Sequence, residues 1–517
     1  MARLAFAYDV GGDRGRDRDR HLMEPVLTPE AMAGADRRTI EAGTPVELLM
    51  ERAGLAVAWS VRDALCGCYG RRVVVICGKG NNGGDGRVAA RALRRWGARV
   101  AVLELANLDR QSLARALSSA DAAVDAMFGT GLQRELDGDA AWIVQCLHAW
   151  RGLTVAVDIP SGIDGLTGAV RGAAVTADRT VTFAARKPGL VLEPGRSHAG
   201  AVRVVDIDID LGPDGNEPLA LGMLHAADVA GLLPPRAPDA HKWVNAVMVV
   251  GGSGGMTGAP LFASHAAMRA GAGMVWCALP GDDTARRAGG TEVVTRALPD
   301  HNGLLAPEAA GAVLENVGRF GALALGPGLG ADESIRAAVR ALVEQVGIPL
   351  VLDADGLNAL AGDTAPLEAR RSKGLATVLT PHGGEYARLV GHPVGDDRVA
   401  AARHLAGRSG AVVLLKGPGT VVADPGGRAA INPTGSAALA SAGTGDVLTG
   451  IVAAFVARGV PAFEAAAAAA WVHGAAADHA ELTTGPTGLA ANDLLAAIAP
   501  TLLALHNNHR SERERPQ

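Results

Sequence analysis

The string VVVIC (73–77) runs into Gly78, Gly80 and Gly83, spaced G-x-G-x-x-G, with Asn81, Asn82, Gly84 and Asp85 around them. Such glycines let bare backbone approach a pyrophosphate at a helix start, and about 20 residues further on a carboxylate takes the ribose. Glu104 stands there. The lining is nonetheless wrong for a phosphate: an aspartate at a helix start repels one, whereas amide and carboxylate oxygens suit hydroxyl groups or a hard cation. The same residues also make a tight loop with Asp85 as helix N-cap, and the loop alone does not separate the two readings. Asp125, before AMFGTGL, and Asp158, before IPSG, end two further strands and turn the balance toward chemistry. Open α/β sheets bind ligands at that carboxyl edge.

In the second half, SAGTGDVLTG (441–450) opens an alanine-rich helix. Backbone N–H groups there form an anion hole, with Asp446 as base for a substrate hydroxyl. The competing account, slightly favoured for this string by itself, makes Asp446 a helix cap. LLKGPGT (414–420) sets Lys416 and Thr420 at a strand end around glycines, a lining for nucleotide phosphates, although no Walker loop G-x-x-x-x-G-K-[ST] occurs. His382, in TPHGGE, reads as a turn residue or, because its flanking glycines keep the loop open, a substrate contact. Asp353 and Asp355 in LDADGLN fit magnesium or a structural cap, and the structural role is preferred. Only five of the 49 basic residues are lysines: Lys79, Lys187, Lys242, Lys373 and Lys416. Where arginine fills nearly every basic position, a lysine points to a compact ammonium.

These residues need strands that end together. From residue 72 apolar strands alternate with helical stretches as far as VRVVDIDIDLG (202–212), which predicts a parallel sheet covered on both faces. GPDGNEP follows as a linker, and a second series begins at NAVMVVGGSGG (245–255) and closes with alanine-rich helix from 443 to about 505. The expected divisions are a disordered leader over 1–22, domains over 23–218 and 219–505, and a polar tail over 506–517. A chain of 517 residues with 48% hydrophobic and 20% charged residues supports two cores. A net charge of −5 and 3% aromatic residues give no case for nucleic acid. Cys66, Cys68, Cys77, Cys146 and Cys277 lack zinc spacing and read as small buried thiols. The alanine run at 465–470 reads as a buried helix and not a membrane span, and the charged leader is no signal peptide. A cytoplasmic protein is expected, with no membrane contact, and its small-residue helices permit a homo-oligomer.

GNNGGDG, VDAMFGTGL, VDIPSGIDG and VTFAARKPG, preceded by LLMERAG, resemble the NAD(P)HX epimerase domain across residues 25–212. HKWVNAVMVVGGSGGMTGAP, ALGPGLG, LDADGLN, TPHGGE and KGPGT with AGTGD resemble the ribokinase-like ADP-dependent NAD(P)HX dehydratases over 220–500. The resemblance implies an α/β chain with a Rossmann-like domain followed by a ribokinase-like one, acting on NADHX and NADPHX, nicotinamides hydrated at C6. It implies epimerase contacts at Asn81, Asn82, Gly83, Gly84, Asp85, Gly129, Thr130, Gly131, Leu132, Gln133, Arg134 and Glu135, with Asp158 at the reacting ring. Potassium is implied on Asn82, Asp125 and Ser161. For the dehydratase it implies hydrate contacts at Ala259, Gly328, His382 and Asp446. ADP, with magnesium, is implied on Lys416, Gly417, Pro418, Gly419, Thr420 and Gly445. Lys79 departs from the loop pattern at its rim, and Trp243 and Asn245 depart where a glycine usually follows the lysine. Three rivals remain: a vitamin-precursor kinase fused to a nucleotide-sensing domain, a non-catalytic sensor or scaffold role for the first domain, and a Rossmann dehydrogenase.

Overall fold

The computed structural model describes residues 23–132, 134–212, 221–233 and 235–513, which form two compact units, 25–212 and 23–24 with 221–513. The leader, the linker and Gln133 lie outside the described residues.

In the first unit six strands lie in one parallel sheet, in the order Arg99–Glu104, Arg72–Cys77, Ala122–Ala126, Leu153–Val157, Arg179–Phe183, Ala201–Val205. Val73 to Cys77 are all buried, as a strand covered on both faces requires. Val46–Ala64 and Asn81–Arg95 cover one face through Val57, Val61, Ala89 and Leu93. Arg110–Ser118 and Gly138–Ala149 cover the other through Leu113, Ile143 and Leu147. The chain leaves Arg72–Cys77 toward one edge and returns on its far side. That makes a topological switch point between Arg72–Cys77 and Ala122–Ala126, where ligands enter such sheets.

The second unit is built on one large, mostly parallel sheet. Seven strands run parallel, in the order Val412–Leu415, Thr377–Leu379, Leu350–Leu352, Ala322–Leu325, Val247–Val250, Val275–Pro280, Val294–Leu298. Antiparallel Val421–Ala423 and Ala429–Ile431 extend it, followed by Leu221–Met223. The expected alanine-rich helix is three helices, Thr444–Ala457, Ala462–Thr484 and Ala491–Arg513, the last continuing well past Leu505. Residues 465–470 are buried, and among the described residues no helix is long and apolar enough to cross a membrane. Small residues let these helices approach closely: a Cβ on Gly450 would lie 2.0 Å from the Ala263 carbonyl oxygen. Trp243 packs edge-on against Trp276 and Phe320, with Arg319 over its ring, and Asn245 takes a positive φ of 65°. Cys68, Cys77 and Cys277 are buried, whereas Cys146 is half-buried and Cys66 exposed, so the expectation of small buried thiols holds for three of the five.

Candidate functional site

A cavity of about 940 Å³ opens at the switch point of the first unit. Its polar side carries Asn81, Asn82, Asp85, Asp158 and Lys187, with Gly129, Thr130, Gly131, Leu132 and Arg134 from the loop after Ala122–Ala126. Gly83, Gly84 and Glu135 stand off the lining. The first two serve packing: a Cβ on Gly83 would lie 2.0 Å from the Gly78 carbonyl oxygen, and one on Gly84 2.5 Å from Met50 Sδ. Gly83 and Gly84 thus bring chain against chain, whereas Gly80 has open space where a Cβ would stand and lines the cavity. Glu104 is bound by Arg87, Nε to Oε1 at 2.9 Å and Nη2 to Oε2 at 2.6 Å.

The helix begins at Asn81 with Gly80 as its N-cap and no side-chain cap, so Asp85 lies inside it, correcting the capping account. Burial lifts the Asp85 carboxyl to about 8, helped by the charges of Asp158 and Asp36. Asn82 is buried, and neither of its amide atoms has a hydrogen-bond partner. Beside this loop, Asp125 is fully buried: its Oδ1 accepts from Ser161 Oγ at 2.6 Å and its Oδ2 from Ser161 N–H at 2.8 Å. Burial raises its pKa to about 6 against the lowering effect of these bonds.

Asp158 takes φ +65°, a region that costs a non-glycine residue roughly 1–3 kcal/mol. Its Oδ1 accepts from Lys187 Nζ at 2.6 Å and Thr182 Oγ1 at 3.0 Å. Lys187, whose side chain is 2% exposed, also donates to Thr182 Oγ1 and the Phe183 carbonyl, so its three protons are spent. The apolar wall comes from Met32, Ile40, Val46, Leu49 and Met50, on two helices that precede the sheet. The sequence reading missed this wall, and with it Asp36, a lining carboxylate whose pKa burial raises while Lys187 lowers it and Asp158 raises it. Leu49 and Met50 lie in LLMERAG, but nothing local marks their side chains, or Asp36, as lining; only tertiary packing brings them to the sheet edge.

The loops of the second unit meet at the carboxyl ends of its parallel strands. Lys416 Nζ donates to Asp353 Oδ1 at 2.8 Å and lies 3.8 Å from Glu385 Oε2. A Cβ on Gly445 would stand 3.5 Å from that ammonium. The helix Thr444–Ala457 is capped by Gly443 with no side-chain bond, so Asp446 is again not a cap. Burial, then the Asp353 charge, lifts Asp446 to about 7, against the lowering pull of Lys416. Ala259 and Gly328 adjoin, with 3.3 Å between the Ala259 Cβ and a Cβ built on Gly328. His382 caps Gly383–Val390, its Nδ1 accepting from Gly384 N–H at 2.9 Å and Glu385 N–H at 3.3 Å, while the side chain stays half exposed. The turn role is therefore filled by Nδ1, and Nε2 stands 3.4 Å from Glu385 Oε1. Gly417, Pro418, Gly419 and Thr420 form an open loop held from beneath by Arg398, which donates to the Lys416 carbonyl at 3.0 Å. Arg398 also escaped the sequence reading, since it lies on a separate helix, Arg398–Ser409. Asp355 accepts from Gly330 N–H at 2.8 Å.

Fold and geometry define a two-unit α/β chain with a cluster of charged side chains at the carboxyl edge of each sheet. The family model described as YjeF-related protein N-terminus matches residues 46–117 and 105–189, and that described as NAD(P)H-hydrate dehydratase matches 247–500. The bifunctional NAD(P)H-hydrate repair enzyme Nnr of Salinibacter ruber is 42% identical, over 92% of this chain and 96% of its own. Its namesake from Moorella thermoacetica is 40% identical over 91% and 95%. A crystal structure of the ADP/ATP-dependent NAD(P)H-hydrate dehydratase from Bacillus subtilis, 30% identical, covers 55% of this chain and 98% of its own with a TM-score of 0.49. The chain belongs to the bifunctional NAD(P)H-hydrate repair enzymes.

Proposed function

We propose that the first unit interconverts the R and S forms of NADHX and NADPHX, and that the second dehydrates the S form with ADP, releasing AMP and phosphate. One observation carries the reading. Each sheet edge holds a lysine–aspartate pair beside another carboxylate lifted to near neutrality, Asp85 in one and Asp446 in the other.

In the epimerase, C6 bears both the ring nitrogen and the hydroxyl. Departure of the hydroxyl as water leaves a cation shared with that nitrogen, and water returning to the other face inverts the centre. Asp85, protonated at pH 7, gives the proton to the leaving hydroxyl. The Asp158 carboxylate, fixed by Lys187 and Thr182, stabilises the cation and takes a proton from the returning water. The protons re-equilibrate through solvent.

Potassium suits Asn82, Asp125 and Ser161: the donor set is hard oxygen, and the buried Asn82 amide lacks any partner from the protein. When bound it supplies fixed positive charge to an acidic floor.

In the dehydratase, Asp446 takes the proton as the C6 oxygen attacks the β-phosphorus of ADP. The bond from that phosphorus to the bridging oxygen breaks and AMP leaves. The phosphate on C6 then departs as a C5 proton is lost, restoring the ring double bond. Lys416 and the N–H groups at the start of Thr444–Ala457 offset the charge on the transferred group. Magnesium accompanies the nucleotide. Asp353, whose oxygens accept from Lys416 and Thr449, and Asp355, which accepts from the Gly330 N–H, are read as structural.

The test supplies S-NADHX with ADP, ATP or no nucleotide and follows the near-ultraviolet absorbance of reduced nicotinamide. ADP should restore it with one AMP released per NADH. No recovery with either nucleotide overturns the reading and favours a vitamin-precursor kinase.

A further inference from the structure

The Lys416 pair raises a question that the nucleotide role of Lys416 leaves open, namely why its partner is so deeply enclosed. Asp353 is 1% exposed, and a buried carboxylate is tolerated only when its oxygens are matched. Oδ1 accepts from Lys416 and Oδ2 from Thr449 Oγ1. Thr449 lies one turn beyond Asp446 on the same helix, Thr444–Ala457. A single carboxylate therefore ties the ammonium to the helix that carries the base.

The backbone around Asp353 is fixed as well. Its N–H donates to the Leu325 carbonyl at 3.1 Å, and its own carbonyl oxygen would lie 1.9 Å from a Cβ on Gly326. Ala354 follows at φ 50° and ψ −121°, a conformation that persists only where the surroundings enforce it. Glu385 is no substitute anchor, since its Oε2 accepts from His382 N–H at 2.8 Å and stands 3.8 Å from Lys416.

We propose that Asp353 is the positioning residue of the dehydratase, setting the Lys416 ammonium over the helix start at Gly445 while Thr449 locks that helix in register with Asp446. It touches no substrate; it acts through Lys416 and Thr449. The inference rests on the phosphoryl-transfer reading of this site. Asp353 also contributes negative charge near Asp446, whose other charged neighbours are Lys416, Asp355 and Glu385. His473, from Ala462–Thr484, bonds the Thr444 carbonyl at 2.8 Å and is held neutral, its pKa lowered by burial to about 4.

The test uses full-length protein with S-NADHX and ADP and compares Asp353→Asn, Thr449→Val and wild type. Asparagine keeps the shape and removes the charge. Asp353→Asn should lower kcat about 100-fold, as small misplacements of catalytic groups do. It should also move the acid limb of the rate profile below its wild-type position near pH 7, because the charge that raises Asp446 is gone. Near-ultraviolet circular dichroism and a urea titration of the same variant against wild type serve as the control for folding. Thr449→Val should lower kcat about tenfold with the acid limb unmoved. A folded Asp353→Asn variant with kcat within twofold of wild type and an unmoved limb overturns the proposal. If Asp353→Asn does not fold, unchanged kcat in Thr449→Val overturns it. Wild type without ADP-dependent recovery removes the underlying reading instead.

Discussion

Both sites place a lysine against a strand-end aspartate, Lys187 with Asp158 at 2.6 Å and Lys416 with Asp353 at 2.8 Å, yet the two pairs are turned in opposite ways. In the first unit the aspartate faces the cavity, its side chain 16% exposed, and the lysine behind it is fully spent on protein acceptors. The strained φ belongs to the aspartate itself. In the second unit the aspartate is the hidden member, the lysine is the more exposed, and the positive φ belongs to the following Ala354. The contrast teaches which atom each pair turns outward: a carboxylate in the first unit, matching the proposed stabilisation of a ring cation, and an ammonium in the second, matching the proposed hold on phosphates. A lysine–aspartate pair thus has no fixed meaning until burial shows which partner faces outward.

The largest effect should come from Asp446. Replacing it with asparagine should reduce ADP-dependent NADH recovery about 10³-fold, within the span of general-base contributions, and leave epimerisation untouched, as rates from separated epimers would register. Asp158→Asn should slow epimerisation about 100-fold while S-NADHX is still dehydrated. Equal losses of both activities in either variant would break the division between the sites.

Lys187→Met strands Asp158 and should lower unfolding stability by about 3 kcal/mol in urea titration. The pH profiles sharpen the contrast further. With Asp446 as the proposed base, dehydration should fall as pH drops through about 7. With Asp85 as the proposed acid, epimerisation should fall as pH rises through about 8. Parallel profiles would contradict these assignments. Exchanging potassium for lithium should have the smallest effect, slowing epimerisation several-fold with dehydration unchanged.

Much of this was legible beforehand, because strand ends and glycine loops are local signals. VVVIC, VDAMFG and VDIPSG marked the edge of the first sheet, and KGPGT with AGTGD marked the second. Local signals misled on the caps: Asp85 and Asp446 have the residue type of an N-cap, but Gly80 and Gly443 occupy that position. The apolar wall with Asp36, the loop support from Arg398 and the bond from Thr449 to Asp353 arise between segments far apart in the chain. No spacing rule reaches them.

The central claim, two independent chemistries in one chain, is tested most directly by NADH recovery from a mixture of R- and S-NADHX with ADP. The experiment follows wild type, Asp158→Asn and Asp446→Asn in parallel. Wild type should restore the whole mixture, Asp158→Asn should stop at the S fraction apart from spontaneous exchange, and Asp446→Asn should restore nothing. Complete recovery by Asp158→Asn at the wild-type rate, or recovery of the S fraction by Asp446→Asn, would contradict it.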